Sequence, residues 1–383
     1  MRGSGTMPAH AQPSSRIPQR PHVVFIMGAG RSGSTVLDLF LGQHPLVQSV
    51  GELCNFVHDG WIERRLCSCG QRVPECELWS RVTELWKKRS QVDLEAYEEL
   101  RNRVEKRRNV LWQMFSRPSP EQVQLGKDVR GNFLTYAQWT AGLYQAICEV
   151  TEKSVVVDSS KNPARGLALV LMAERLDLID LHLVHLVRDV RGFAWSVKKS
   201  FRSDEQAGVA QDIHGLPVWR SALAWTFVNG IADLVRRRHE TSRSLLVRYE
   251  DFASAPIPAV LQLAGFIAIP PGPWIELLNS EEPLQPGHIV AGNRLRMQRH
   301  IRLRPDVEWQ SKLSLAEKML IWILAGWKAW SYGYRYGSAV SGVDRSAPGT
   351  SPPAGHRLAG PHFLASRDRQ STSSSSVSES AHP

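Results

Sequence analysis

Apolar residues in this chain gather into short runs, and between the runs they recur every three or four positions. Val23–Met27 reads VVFIM, Val155–Asp158 closes SVVVD, Leu181–Val187 reads LHLVHLV and Leu245–Tyr249 begins LLVRY. Runs of this length, rich in β-branched residues, predict strands buried on both faces. A further strand is expected to end in SVGE, Ser49–Glu52. Helical spacing fills the gaps at Pro163–Leu176, Val190–Ser200 and Trp219–Arg238. Strands alternating with helices predict an α/β fold in three layers, a mostly parallel sheet flanked by crossover helices.

The first and second runs are far apart, and the stretch between them, residues 53–150, reads as a helical insertion. Asp93 is a fitting N-cap, and Leu94, Tyr97, Leu100 and Val104 follow at helical spacing. The opposite face, Arg101 to Arg108, is densely basic. Such a face is ordinarily solvated, and the alternative is a substrate lid over the sheet's C-terminal edge. Late in the chain an apolar helix is expected over Leu315–Tyr332, with Trp322, Trp327 and Trp330 read as core.

Composition narrows the class. Of 383 residues, 42% are hydrophobic and 22% charged, enough for a sizeable core. Mean hydropathy is −0.27, and no apolar run approaches the roughly 18 residues that a membrane helix needs. The ends differ from the body. Residues 1–21 form a basic arm with Arg2, Arg16 and Arg20 but no apolar core of a secretory signal. Residues 337–383 turn to Ser, Pro and Gly and include the run Ser373–Ser376. Both ends are expected to be disordered, which leaves 22–336 as the folded domain and the cytoplasm as the expected compartment. Lys and Arg number 47 against 37 acidic residues, a net charge of +10. An anionic partner is therefore expected: nucleic acid, an acidic membrane face or a phosphate-bearing small molecule.

Five cysteines do not make a disulfide scaffold in a chain of this length. Cys67, Cys69 and Cys76 cluster in CSCGQRVPEC, with Cys54 and His58 nearby. That spacing supplies three thiolates and no fourth ligand, so a packed, redox-inert group is the reading and a structural zinc the alternative.

The strongest local signal is strand–GAGRSGST–helix, Gly28 to Thr35, with Val36, Leu39 and Phe40 expected on one face of the helix. Glycines let successive N–H groups point into one concavity at a helix N-terminus, a geometry that binds phosphate or sulfate. Against the pattern GxxxxGK[ST] the loop matches at Gly28, Gly33 and Thr35 but carries Ser34 where a nucleotide hydrolase has lysine. Arg31 is the loop's cation instead. VVVD, ending at Asp158, has the form of a metal-holding strand of such hydrolases, so a P-loop kinase or NTPase remains the second reading. As a dinucleotide fingerprint the loop is weak, since the acid at the ~20-residue offset is Glu52, which has another use below.

Several segments in order resemble the sulfotransferases that use 3′-phosphoadenosine 5′-phosphosulfate, above all bacterial members and their carbohydrate- and tyrosyl-protein-modifying relatives. RSGST with its helix, then GQHP and GEL, looks like their 5′-phosphosulfate loop. VVVDSSKNP, HLVRDVRGFAWS, LLVRYEDF and HIVAGNRLR are similar to later segments, and CSCG…C…W recurs there without an assigned role. The resemblance covers about 22–336 and departs at Val190, where the usual form has proline.

It implies a P-loop-like fold and a division of labour. Ser32, Gly33, Ser34 and Thr35 would hold the 5′-phosphosulfate, and Arg31 would neutralise the departing phosphate as a clamp, since arginine does not give up its proton. Arg188 and Ser196 would bind the 3′-phosphate, unless Arg188 merely pairs with Asp189 or another acid. Asn293, Arg294 and Arg296 would close over the nucleotide. Glu52 stands where relatives carry a catalytic base, the plainer reading being a helix cap. Lys161 matches a lysine near the transferred group, the plainer reading being a solvated lysine. His44 and His288 are further candidate bases. No metal is expected, because fixed cations and backbone dipoles carry the charge. The implied activity is sulfuryl transfer to a hydroxyl or amine of a small-molecule, carbohydrate or lipid acceptor. A non-catalytic basic protein that binds nucleic acid or acidic membranes is the third reading, and no nucleic-acid-reading motif supports it.

Overall fold

The structure, a computed structural model, describes residues 20–106, 126–209, 211–239 and 243–337, with backbone alone for 126–131. Arg2, Arg16, Arg107, Arg108 and the serine-rich tail lie outside the described residues.

Five strands form one sheet: β1 His22–Met27, β2 Val47–Gly51, β3 Val155–Lys161, β4 Asp180–Val187 and β5 Ser244–Arg248, in the order β2-β3-β1-β4-β5. Every ladder is parallel. β3 runs three residues past the apolar run that predicted it, carrying Ser159, Ser160 and Lys161 to the sheet's C-terminal edge.

Side chains alternate along the strands between cores on the two faces of the sheet, and a third core gathers Val187, Trp225, Ala325 and Ala329. Val23, Phe25 and Met27 enter one core, while Val24 and Ile26 enter the other. Helix α1, Ser34–Leu41, follows β1. The insertion supplies a π-helical turn at Phe56–Ile62, then α2 Glu77–Ser90, α3 Leu94–Val104 and α4 Gly126–Thr151. Next come α5 Pro163–Glu174, α6 Val190–Lys198 and α7 Val218–Arg238. The remaining helices are α8 Tyr249–Ser254, α9 Pro256–Ile267, α10 Gly272–Ser280, the single turn α11 Trp309–Lys312 and α12 Leu315–Ser331. The first core takes side chains from α2 to α5 and the later part of α7, and the second from α1, α8, α9 and α10. This is the three-layer α/β arrangement.

Local rules explain several helix starts. Asp93 accepts from the Ala96 N–H at 2.8 Å and caps α3. Asn162 caps α5 just before its first-turn Pro163. Ser314 and Glu317 make a reciprocal capping box on α12.

Three expectations differ from the structure. α1 is buried almost all round, Asp38 included, because it lies between the sheet and α9–α10 rather than on a surface. On α12 the small residues Ala325 and Ala329 pack inward, leaving Trp327 and Trp330 67% and 55% exposed. Arg101 is held by Glu98 and Glu105 rather than solvated, and only Arg103 and Lys106 of the described basic stretch are exposed. Among the described residues no helix is long and apolar enough to cross a membrane.

The topology has a reversal point. From β1 the chain moves to one side for β2 and β3 and to the other for β4 and β5. Open parallel sheets bind ligands in the crevice beyond their strand ends at such a reversal.

Candidate active site

A cleft of about 790 Å³ opens at that crevice, and the C-terminal end of every strand feeds it. The loop after β1 gives Gly30, Arg31, Gly33, Ser34 and Thr35; β2 is followed by Glu52, β3 ends in Lys161, β4 is followed by Arg188 and β5 by Tyr249.

The loop is built to expose donors. Gly33 is the N-cap of α1, no side chain caps the helix, and the first turn holds no acid, which leaves N–H groups and the helix dipole facing the cleft. Gly33 is obligatory here: its φ is +91°, and a Cβ would stand 2.3 Å from the Tyr249 ring. Arg31 and Lys161, both non-glycine, sit at φ +65° and +64°. Left-handed backbone costs such residues about 1–2 kcal/mol each, and the packed surroundings hold both cations in it. Burial, with Arg294 nearby, pushes the Arg31 guanidinium below its ordinary range.

Glu52 and Lys161 form an ion pair across the cleft floor, each about one-fifth exposed (side chains 20% and 17%). Glu52 makes no side-chain cap to the turn after it; its other oxygen accepts from Asn55 Nδ2 at 3.3 Å. A Cβ at Gly292 would lie 3.6 Å from Glu52 Oε1 and 3.8 Å from Thr35 Oγ1, so the loop end, Glu52 and the 292 segment converge on one point.

Arg188 is almost fully buried and packs 4.9 Å from the Tyr249 ring centre. It donates to the Arg31 carbonyl at 3.1 Å and pairs with Asp306 at 2.9 Å. Asp189 is not its partner, because that carboxylate is bound by Arg191 at 2.6 Å and caps α6. Arg188 Nε is buried with no hydrogen-bonding partner among the described residues. Ser196, on α6, also lines the cleft.

Asn293 and Arg294 line the opposite wall, where Asn293 caps the turn Arg294–Met297. The Arg294 guanidinium lies 4.5 Å from the Phe201 ring centre and that of Arg31 5.9 Å, so both cations flank one aromatic ring. Lys199, Phe201, His300, Arg302 and Arg304 complete this wall, and sequence reasoning named none of them. A signal existed for three: His300, Arg302 and Arg304 alternate with Ile301 and Leu303, which pack into the second core.

Four residues named from the sequence stand apart from the cleft lining. Ser32 is buried behind the loop, its Oγ without a partner among the described residues. Arg296 is buried and donates to the Leu66 carbonyl at 2.9 Å. His44 is held at the end of α1 by the Leu46 N–H and the Pro270 carbonyl, at 3.1 Å each. His288 points at Cys76 Sγ, 3.2 Å away. Asp158 also lies off the cleft. It is fully buried and taken by Arg165 Nε at 3.0 Å, Tyr144 OH at 2.7 Å and the Ser160 N–H at 3.0 Å.

Comparison with known proteins adds a family. The model described as "Sulfotransferase family" matches residues 21–274. No curated protein sequence matches the chain. Among solved structures, the sulfotransferase domain of the Synechococcus PCC 7002 olefin synthase is similar over 85% of this chain and 99% of that one, at 19% identity and a TM-score of 0.43. A sulfotransferase from Alicyclobacillus acidocaldarius is similar over 82% and 99%, at 14% identity and 0.33. Sulfotransferase STF9 from Mycobacterium avium is similar over 69% of each chain, at 10% identity and 0.37.

Proposed function

The chain belongs to the sulfotransferase family, and from that premise we propose that its donor is 3′-phosphoadenosine 5′-phosphosulfate. The acceptor in this reading is a hydroxyl or amine of a small molecule, carbohydrate or glycolipid, with Glu52 as general base.

The observation that carries the reading is one cleft lined by two groups suited to anions. One is the uncapped helix start with the Ser34 and Thr35 hydroxyls. The other is Arg188, almost fully buried, with Ser196 also in the lining. Arg188 lines the cleft and is paired with Asp306, and a phosphate beside it would add a charge-assisted partner for the buried guanidinium. The residues present therefore fit a nucleotide with a phosphate at each end of its ribose.

Bound there, that donor supplies an SO3 group on a phosphate leaving group. The chain's part is to position and to balance charge. The N–H groups of the loop and the hydroxyls of Ser34 and Thr35 hold the 5′ end, and Arg31 offsets charge there. Glu52 takes the acceptor's proton at its carboxylate, which the pairing with Lys161 keeps aimed into the cleft. Lys161 remains as a fixed cation beside the transferred group. Phe201 and Tyr249, each with a guanidinium near its ring, add apolar surface to the cleft lining.

The kinase reading is weaker on two observations. Ser34 stands at the lysine position of the loop, and the Asp158 carboxylate is committed to Arg165 rather than turned to a metal in the cleft. The test is release of adenosine 3′,5′-bisphosphate from the donor across a panel of hydroxyl and amine acceptors. Acceptor-dependent release supports the reading; ATP turnover with magnesium and none with the sulfated donor refutes it.

A further inference from the structure

Outside the cleft, the structure gathers four metal-ligating side chains at one point. Cys67, Cys69, Cys76 and His288 each offer one atom, and these atoms all lie within 4.8 Å of one another. The fourth comes from 212 residues beyond Cys76, which is why the cysteine spacing alone left the set one short. Cys54 and His58 are not part of it: the Cys54 sulfur faces Asn55, and His58 pairs with Asp59.

We propose that Cys67, Cys69, Cys76 and His288 bind one zinc ion, as a structural site. A tetrahedral zinc with Zn–S of about 2.3 Å and Zn–N of about 2.0 Å sets its sulfurs about 3.8 Å apart and sulfur and nitrogen about 3.5 Å apart. Here Cys69 and Cys76 Sγ are 3.7 Å apart, and Cys76 and Cys67 Sγ 3.9 Å. His288 Nδ1 is 3.2 Å from Cys76 Sγ and 4.0 Å from Cys67 Sγ. The measured edges bracket the tetrahedral ones, and three thiolates with one imidazole are a donor set that favours zinc.

The surroundings fit a closed, pinned site. Ser68 N–H donates to the Ile289 carbonyl at 3.0 Å, Ser68 Oγ donates to the Gly287 carbonyl at 2.9 Å and accepts from the Ile289 N–H at 2.7 Å. Trp79 Nε1 donates to the His288 carbonyl at 3.0 Å. The two chain segments are thus already laced on either side of the donors. Zinc with three thiolates and a neutral imidazole carries one net negative charge. The buried Arg296 guanidinium, which donates to the carbonyl of Leu66 next to Cys67, lies close enough to balance it. Cys67 and Cys76 are buried while Cys69 is exposed, which gives an ion a path from solvent. Binding releases the thiol protons to solvent and involves no redox change. Its consequence is to tie the start of the insertion to the 287–296 segment, whose Asn293 and Arg294 line the cleft.

The test uses the full chain purified under reducing conditions without chelator, with metal measured by atomic emission. The expected result is about one zinc per chain, lost in Cys76→Ser and His288→Ala and kept in Cys148→Ala, whose thiol is buried elsewhere. Removing a ligand should cost more than the roughly 10–100-fold in affinity that outer partners cost. If a ligand variant does not fold, the wild-type chain decides. Chelator-stripped protein should gain thermal stability on adding zinc, and cobalt should give thiolate-to-metal charge-transfer bands with the visible spectrum of a tetrahedral site. Protein that holds no metal and gains nothing from zinc overturns the proposal. So does a disulfide between Cys69 and Cys76 in the purified chain, a different resident metal, or His288→Ala that keeps full zinc affinity.

Discussion

Arg188 donates from Nη1 to the backbone carbonyl of Arg31, 3.1 Å away, so the end of β4 and the glycine-rich loop are held in one geometry. The same guanidinium keeps its Nε–H unpartnered among the described residues. Arg188 thus braces the glycine-rich loop, and in the proposed reading it also meets a second anion, the 3′-phosphate.

The first prediction concerns that second anion. Arg188→Ala should weaken adenosine 3′,5′-bisphosphate by about 10–100-fold, the worth of a hydrogen bond to a charged group. Adenosine 5′-phosphate, lacking the 3′ group, should weaken far less. Calorimetry with both ligands reads the difference, and circular dichroism checks that the variant is folded. Equal losses for the two nucleotides would remove Arg188 from the 3′ end.

Glu52→Gln tests the base. The amide keeps the size of the carboxylate but does not take the acceptor's proton at neutral pH. Turnover should fall about 10²–10⁴-fold, the usual contribution of a general base. Affinity for adenosine 3′,5′-bisphosphate should stay within about threefold, because in the proposed reading the loop and Arg188, not Glu52, hold that nucleotide. A variant with full turnover would show that the proton leaves by another route.

Asp38 gives a pH dependence. It is fully buried on α1, the Gly51 N–H donates to its Oδ2 at 3.1 Å, and burial pushes its carboxyl up to about 8 from 3.8. Between those values the folded chain holds a proton that the unfolded chain has lost. The stability this group contributes is therefore complete below about 4 and is lost as pH rises to about 8, after which the trend flattens. Asp38→Asn keeps an acceptor for Gly51 and does not titrate. It should exceed the parent by at least about 1.4 kcal/mol at pH 8, the free energy of a tenfold change in proton affinity, with the gap closing toward pH 4. Thermal melts across that range check it, and parallel curves would contradict it.

What the sequence made legible follows from which forces are local. Most buried strands announce themselves as short apolar runs, and Asp93 marks a helix start because a cap acts within three residues. The glycine loop was readable for the same reason. Groups joined across the fold were not readable. His288 meets the cysteines through a segment that returns from far along the chain. The basic wall at Arg302 and Arg304 left only its alternation with Ile301 and Leu303 as a signal, and its place in the cleft depends on those two being drawn into the second core. Trp327 and Trp330 look like core by composition, yet Ala325 and Ala329 take the inward positions where α12 crosses α7 closely. Hydropathy gives a helix its faces; tertiary packing decides which one is covered.

The most direct measurement of the central claim is thermal stabilisation of the full chain by adenosine 3′,5′-bisphosphate against ADP with magnesium, at equal concentrations. Ligand at 100 times its dissociation constant adds about 2.7 kcal/mol, a rise of several degrees. The proposed donor site predicts that rise with adenosine 3′,5′-bisphosphate and little with ADP and magnesium. Stabilisation by ADP and magnesium alone would contradict it.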